Sequence, residues 1–169
     1  MNEPTMGLCF MQITIIWLRI IHLPATHNIK LRGIYMNIRI AQDGDLDILT
    51  LFDAHTTKRE FENLITLGRV YIVEEGENFL GWLRYNLFWD NTPFMNMLYF
   101  LEDYRGQGYG RKLVHTWEED MKAAGFHSVM TSTASDEYAQ HFYTKLGYKA
   151  VGSFIPEEET MEIIYSKRI

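Results

Sequence analysis

From Met36 onward the chain alternates two hydrophobic rhythms, one of period two and one of about 3.6 residues. "NIRIA" (37–41) alternates as a short strand does. Asp43 and Asp45 then offer N-cap chemistry to a helix carrying Leu46, Leu49 and Phe52. A second short helix is predicted over 58–67, ended by Gly68. "RVYIVEE" (69–75) and "FLGWLRYNLFW" (79–89) flank the turn "GEN" as a hairpin. After "DNTP", the run "FMNMLYFL" (94–101) is too apolar for an edge strand and is predicted to be central. Gly110, Leu113, Val114, Trp117, Met121 and Ala124 recur at helical spacing, with Gly125 as terminator. A strand (127–134) and a helix with Ala139, Phe142, Tyr143 and Leu146 on one face follow. "YKAVGSF" and "EIIYSKRI" are the last strands, joined by the acidic loop "IPEEET". The order β-α-α-β-β-β-α-β-α-β-β predicts a mixed α+β fold, a sheet of about seven strands with helices on its faces.

The segment before Met36 obeys neither rhythm. Residues 6–23 are strongly apolar, yet Gln12, Arg19 and His22 interrupt them. A spanning helix wants about 20 apolar residues. The opening Met-Asn-Glu lacks the basic start of a signal peptide, and no small-x-small cleavage site follows. Neither a membrane span nor a secretory leader is therefore expected. Residues 1–35 are expected to be an N-terminal extension, or the product of a start codon set too far upstream, ahead of a single domain over 36–169.

Composition narrows the function. A net charge of −6 without a basic cluster argues against nucleic-acid binding, and mild acidity favours cationic amines as substrates. The single cysteine, Cys9, fits a reducing, cytoplasmic compartment. Six scattered histidines, with no HExxH and no Cys/His pairing, predict no metal site.

The chemistry concentrates in "EDYRGQGYGRKL" (102–113). Walker A spacing fails, because Arg111, Lys112 and Leu113 stand where G-K-[ST] would. A dinucleotide GxGxxG fails as well, since Leu113 lies three residues after Gly110 and Arg111 three after Gly108. What remains is RxxGxG (Arg105, Gly108, Gly110) between a central strand and a helix N-terminus. Glycines there let successive N–H groups of Gly106, Gln107, Gly108, Tyr109 and Gly110 turn toward one concavity, and the helix dipole adds partial positive charge. Such a loop suits a diphosphate, with Arg105 and Arg111 adding charge. A ligand-free tight turn would use glycines too.

Together with "ASDEYAQHFYTKLGY" (134–148), this stretch resembles the GCN5-related N-acetyltransferase superfamily. The first family motif is matched by Arg105, Gly108 and Gly110, and the following helix by Leu113, Glu118 and Gly125. The second is matched by Ala139, Phe142, Tyr143, Lys145, Gly147 and Tyr148, with Asp136 in place of the usual asparagine. The resemblance covers about 36–169 in element order and is sharpest over 98–148. It implies an acetyl-CoA N-acetyltransferase fold in which the co-substrate enters where strands 94–101 and 127–134 part. It further implies main-chain bonds to pantetheine around Phe100 and Leu101, and Tyr143 as the acid that protonates the departing thiolate.

Asp136 has two readings, a contact with the pantetheine arm and a helix N-cap. Tyr143 likewise could serve only as core on the face with Ala139 and Phe142. The resemblance implies no metal and leaves the general base open. Asp90, Glu102 and Asp103 flank the central strand, Glu102 and Asp103 read as solvated turn residues, and His141 points away from Tyr143 on its helix. Substrate walls are expected from residues 45–67, from Trp82, Tyr85 and Trp89, and from Pro156 to Glu159, where three glutamates would suit a polyamine or aminoglycoside. The acceptor is expected to be a small-molecule or peptide amine, and a homodimer is left open. The alternative is a non-catalytic acyl-CoA-binding module.

Overall fold

The computed structural model describes residues 26–31, 34–157 and 159–169. The apolar segment 6–23 lies outside the described residues, and among those described no helix is long and apolar enough to cross a membrane. One eight-stranded sheet organises the described residues. In chain order the strands are β1 (Thr26–Leu31), β2 (Ile34–Ile40), β3 (Val70–Glu75), β4 (Asn78–Phe88), β5 (Thr92–Phe100), β6 (Ser128–Ala134), β7 (Lys149–Phe154) and β8 (Glu162–Arg168). Their spatial order is β1-β2-β3-β4-β5-β6-β8-β7. Every neighbouring pair is antiparallel except β5–β6, which is parallel and reached through a helical crossover.

The eighth strand is β1, drawn from the segment read as an extension. It pairs with β2 from Thr26 opposite Arg39 to Leu31 opposite Ile34, so β2 starts two residues before Met36. Its sequence THNIKL carries little strand pattern, because an edge strand is held by backbone pairing rather than by a buried face. His27 also pairs with the buried Asp120 (Nε2 to Oδ2, 3.2 Å), which accepts a second bond from the Tyr71 hydroxyl at 3.0 Å.

Among the described residues four α-helices cover the sheet: α1 (Leu46–Phe52), α2 (Lys58–Thr66), α3 (Tyr109–Ala123) and α4 (Ala139–Lys145). The period of two along β3 divides the core, since Val70 and Ile72 face one way and Tyr71 and Val73 the other. Leu49, Phe61, Leu64 and Ile65 of α1 and α2 pack on Val70, Ile72 and Trp82. Leu113, Val114, Trp117 and Met121 of α3, with Tyr143 of α4, join Tyr71, Val73, Leu83 and Tyr85 on the other side. Each of these large side chains contributes about 1.5–3 kcal/mol by leaving water. Glu118, from the helix motif, accepts from Lys167 Nζ at 2.5 Å and so ties α3 to β8.

The first predicted cap takes a different form. Asp43–Asp45 make a single 3₁₀ turn in which Gln42 N–H donates to Asp45 Oδ2 at 2.7 Å. Asp45 precedes α1 without a side-chain cap bond, because its carboxylate holds Arg39 at 2.7 and 2.8 Å. Burial works to raise the Asp45 pKa, but the bonds from Arg39 and Gln42 outweigh it and hold the group below its ordinary range.

Candidate active site

The parallel pair β5–β6 is short. Phe94 opposes Met130 and Met95 opposes Thr131, and the pairing stops there. Just beyond, a bulge interrupts β5: Arg84 pairs with Met97 and Tyr85 with Met95, which leaves Asn96 as the extra residue. The bulge turns the second half of β5 away from β6, and the cleft opens between them. On the other side β5 is pinned to β4, where a Cβ on Gly81 would collide with the Tyr99 carbonyl and the Phe100 ring. Two cavities of about 360 and 390 Å³ occupy the cleft, and Leu98 lines both.

The first cavity is lined by the glycine loop and the start of α3, including Arg105, Gly106, Gly108, Tyr109, Gly110 and Arg111. Gly106 and Gly108 hold φ of +70° and +94°, and nothing lies within 4 Å of where their Cβ atoms would stand. They are needed for backbone conformation, not for lack of room. Gly108 is the N-cap of α3, so the first-turn N–H groups of Tyr109, Gly110 and Arg111 have no carbonyl inside the helix. A fifteen-residue helix thus ends, N-terminus first, at a concavity lined by its own donors. This is the donor set a diphosphate requires, and it fits the co-substrate that the motif implies. Gln107 and Tyr109 are supports in this arrangement. Gln107 Nε2 donates to Asp103 O at 2.6 Å, and Tyr109 is buried against Phe100 and Tyr104.

The strand end needs one correction. Leu101 donates its N–H to Leu80 O at 2.9 Å, so this N–H is not free for a ligand, and its carbonyl already accepts from Tyr104 N–H at 2.9 Å. Alternation along β5 turns the N–H groups of Tyr99 and Leu101 toward β4 and those of Leu98 and Phe100 toward the opening. Leu98 and Phe100 therefore replace Phe100 and Leu101 as the exposed main-chain edge. Arg105 folds back over this edge, with Nε donating to Phe100 O at 2.7 Å and the guanidinium 5.0 Å from the Tyr99 ring.

Tyr143 lies in the wall of the second cavity with Thr131, as the motif implies. It is also core, packed on Phe142, Tyr148 and Tyr165, and that packing does not take it out of the cavity wall. Burial pushes its phenol up to about 12 against a smaller downward pull from Thr131. At neutral pH the hydroxyl therefore keeps its proton and is a donor.

Asp136 lines neither cavity. Helix α4 begins three residues later with Tyr138 as an N-cap that makes no side-chain bond, while Asp136 accepts from Thr160 Oγ1 at 3.3 Å. Both readings of Asp136 give way to this loop contact. Trp82 and Tyr85 are fully buried and Trp89 lies exposed in the β4–β5 turn, so none of the three lines the cleft. A central strand covered on both faces has no wall to offer except at a bulge.

The second cavity contains His55, from the stretch 45–67 expected to wall the substrate, and the expected Glu159, with Arg84, Thr131, Thr133, Glu137 and Glu162, which the sequence did not single out. Glu158 lies outside the described residues. Glu137 accepts from Thr133 Oγ1 at 2.7 Å. Arg84 had one visible signal, a lone guanidinium inside an apolar strand, which must be paired or used. The others come from segments far apart in the chain and left none. Among the described residues no three His, Cys, Asp or Glu side chains are placed to hold a metal ion.

The comparisons with known proteins agree with this geometry. The sequence model of the Acetyltransferase (GNAT) family matches residues 40–148. Similar solved structures include Ard1 from Thermoplasma volcanium, 14% identical with a TM-score of 0.70 over 79% of this chain and 97% of that one. A GNAT family acetyltransferase from Elizabethkingia anophelis with acetyl-CoA bound is 18% identical, with a TM-score of 0.65 over 79% and 98% of the two chains. Arabidopsis thaliana Naa50, in complex with the bisubstrate analogue CoA-Ac-MVNAL, is 17% identical with a TM-score of 0.65 over 78% and 97%. No curated protein matches significantly. At these identities the structures speak for the fold alone. The family match, spanning well over half of the residues and both motifs at the cleft, means that this chain belongs to the GNAT family of acetyltransferases.

Proposed function

We propose that the protein is an acetyl-CoA-dependent N-acetyltransferase that acetylates a primary amine of a small molecule or peptide by direct attack. The observation that carries this reading is the opening of β5 from β6, with an anion-binding helix start on one side and a protonated, buried phenol on the other. The bound co-substrate would supply an acetyl group already activated as a thioester. First-turn amides of α3 hold the diphosphate, and the free edge at Leu98 and Phe100 holds the extended arm as an added strand. An N–H on that edge stabilises negative charge developing on the carbonyl oxygen as the amine attacks. The N–C bond forms as the C–S bond breaks, Tyr143 gives its proton to the leaving sulfur, and the amine's proton leaves toward the carboxylate wall of Glu137, Glu159 and Glu162. No covalent enzyme intermediate is involved. The neighbours bound to acetyl-CoA or to a CoA-peptide conjugate support the cofactor side of this reading. The lone cysteine supports a cytoplasmic location.

Thiol release from acetyl-CoA, measured across peptides, amino acids, polyamines and aminoglycosides, tests the proposal. Turnover with at least one class is expected. Silence across the panel, despite tight acetyl-CoA binding, would leave the non-catalytic acyl-CoA-binding module.

A further inference from the structure

We propose that Arg84 is the acceptor-recognition residue of the cleft and that the amine it recognises also carries a carboxylate. This rests on the acetyltransferase reading and deepens it. Arg84 stands in the apolar strand β4 and is only 8% exposed. A buried guanidinium persists when it is paired, and the pairing here is partial. Asp53, 2% exposed, accepts from Arg84 Nε at 2.7 Å, while its other oxygen accepts from His55 N–H at 3.0 Å. That arrangement balances the charge and fixes the guanidinium plane. Among the described residues, nothing accepts a hydrogen bond from Nη1 or Nη2, and neither nitrogen is sealed inside the protein. Arg84 lines the acceptor cavity with Asn96 and Met97, and Nε is the nitrogen committed to Asp53.

The chemistry of the two ends follows. A guanidinium offers donors and no acceptor, so an ammonium or a polyamine chain has nothing to bond there. A planar pair of N–H donors matches a carboxylate. The ammonium end finds its acceptors on the rest of the wall, at Glu137, Glu159 and Glu162. Arg84 also follows Trp82 by two residues and so shares its α1–α2 face, whereas Tyr143 packs with α3 and α4. It therefore reads the acceptor and not the co-substrate. One cavity with donors on one wall and carboxylates on the others fits an amino acid or similar zwitterion.

The test compares α-, β- and γ-amino acids with their amides and their decarboxylated amines as acceptors, by thiol release. The expected result is a preference for the acid of about 10–100-fold in kcat/KM, expressed mainly in KM, at one spacing of the two groups. In the double variant Arg84→Gln with Asp53→Asn, which leaves no unpaired buried charge, the preference should fall within about threefold. Arg84→Lys, which keeps charge but loses the planar fork, should fall between. Amides or decarboxylated amines that match the acids in the unmodified protein, or a preference that survives the double variant, overturn the proposal. A binding measurement keeps the two readings separable: N-acetyl amino acids and their amides are titrated into the protein with CoA. Carboxylate-dependent binding that the double variant abolishes supports Arg84 even if no amine turns over, in which case only the catalytic reading fails. Equal binding of acid and amide overturns the Arg84 assignment alone.

Discussion

The two cavities that meet at Leu98 are built by opposite means. The proposed cofactor side comes almost entirely from one continuous stretch, residues 98–111, with Phe142 added, and its chemistry is backbone: glycine torsions, first-turn amides and a free strand edge. The acceptor side collects His55, Arg84, Asn96, Thr133, Glu137 and Glu162 from separate elements, and its chemistry is side-chain charge. A backbone site tolerates little variation but needs no particular side chains. A side-chain site can change its ligand by single substitutions while the sheet beneath stays intact. Cofactor and acceptor recognition should therefore be separable by mutation.

The largest effect is expected at the junction. Tyr143→Phe should lower kcat by about 10²–10⁴-fold and leave acetyl-CoA affinity unaltered, as steady-state kinetics and titration calorimetry would show. Full turnover in that variant would remove the acid role. Next comes the cofactor side. Gly108→Val forces a β-branched residue to φ of +94°, a strain of about 1–3 kcal/mol, so acetyl-CoA affinity should fall about 10–100-fold. The acceptor KM should hardly move. If both change together, the two sides are coupled and the contrast fails.

Buried tyrosines give a third, milder effect. Desolvation pushes Tyr143 up to about 12 and raises Tyr71 and Tyr85 as well. The folded protein holds these protons more tightly than the unfolded chain, whose tyrosines titrate near 10. Their contribution is intact below about pH 10 and is lost as pH rises toward about 12. Denaturant midpoints measured from neutral to strongly alkaline pH should fall along that window, and less steeply in Tyr143→Phe. The smallest effect belongs to the acceptor rim. Glu159→Gln should raise the KM for a cationic amine by about two- to fivefold without touching acetyl-CoA affinity. An equal loss of cofactor affinity would place Glu159 on the wrong side of the comparison.

How much was legible follows the same division. Each predicted strand and helix formed near its predicted place, because burial imposes its period on any element with one wet and one dry face. Gly108 and Arg105 were legible because their spacing is a property of a single loop. Leu101 was assigned to the ligand because strand residues look alike in sequence. Which amides face the opening depends on the register with β4, set by the contact of Leu101 with Leu80. Asp136 was assigned by position in a motif, but the structure pairs it with Thr160, 24 residues away.

By itself, then, the sequence determined the class of fold, the order of its elements, the glycine loop before α3 and the helix that carries Tyr143. These rest on local periodicity, on glycine's access to positive φ and on short motifs, all of which act within a few residues. Tertiary structure alone decided three further things: that β1 extends the sheet as its edge strand, that Asn96 bulges to part β5 from β6, and that Arg84 and three glutamates line one cavity. Each depends on which strands become neighbours, a choice made by the burial of the whole sheet between two layers of helices. The proposed cofactor chemistry is written in one loop, and the proposed acceptor chemistry exists only once the chain has folded.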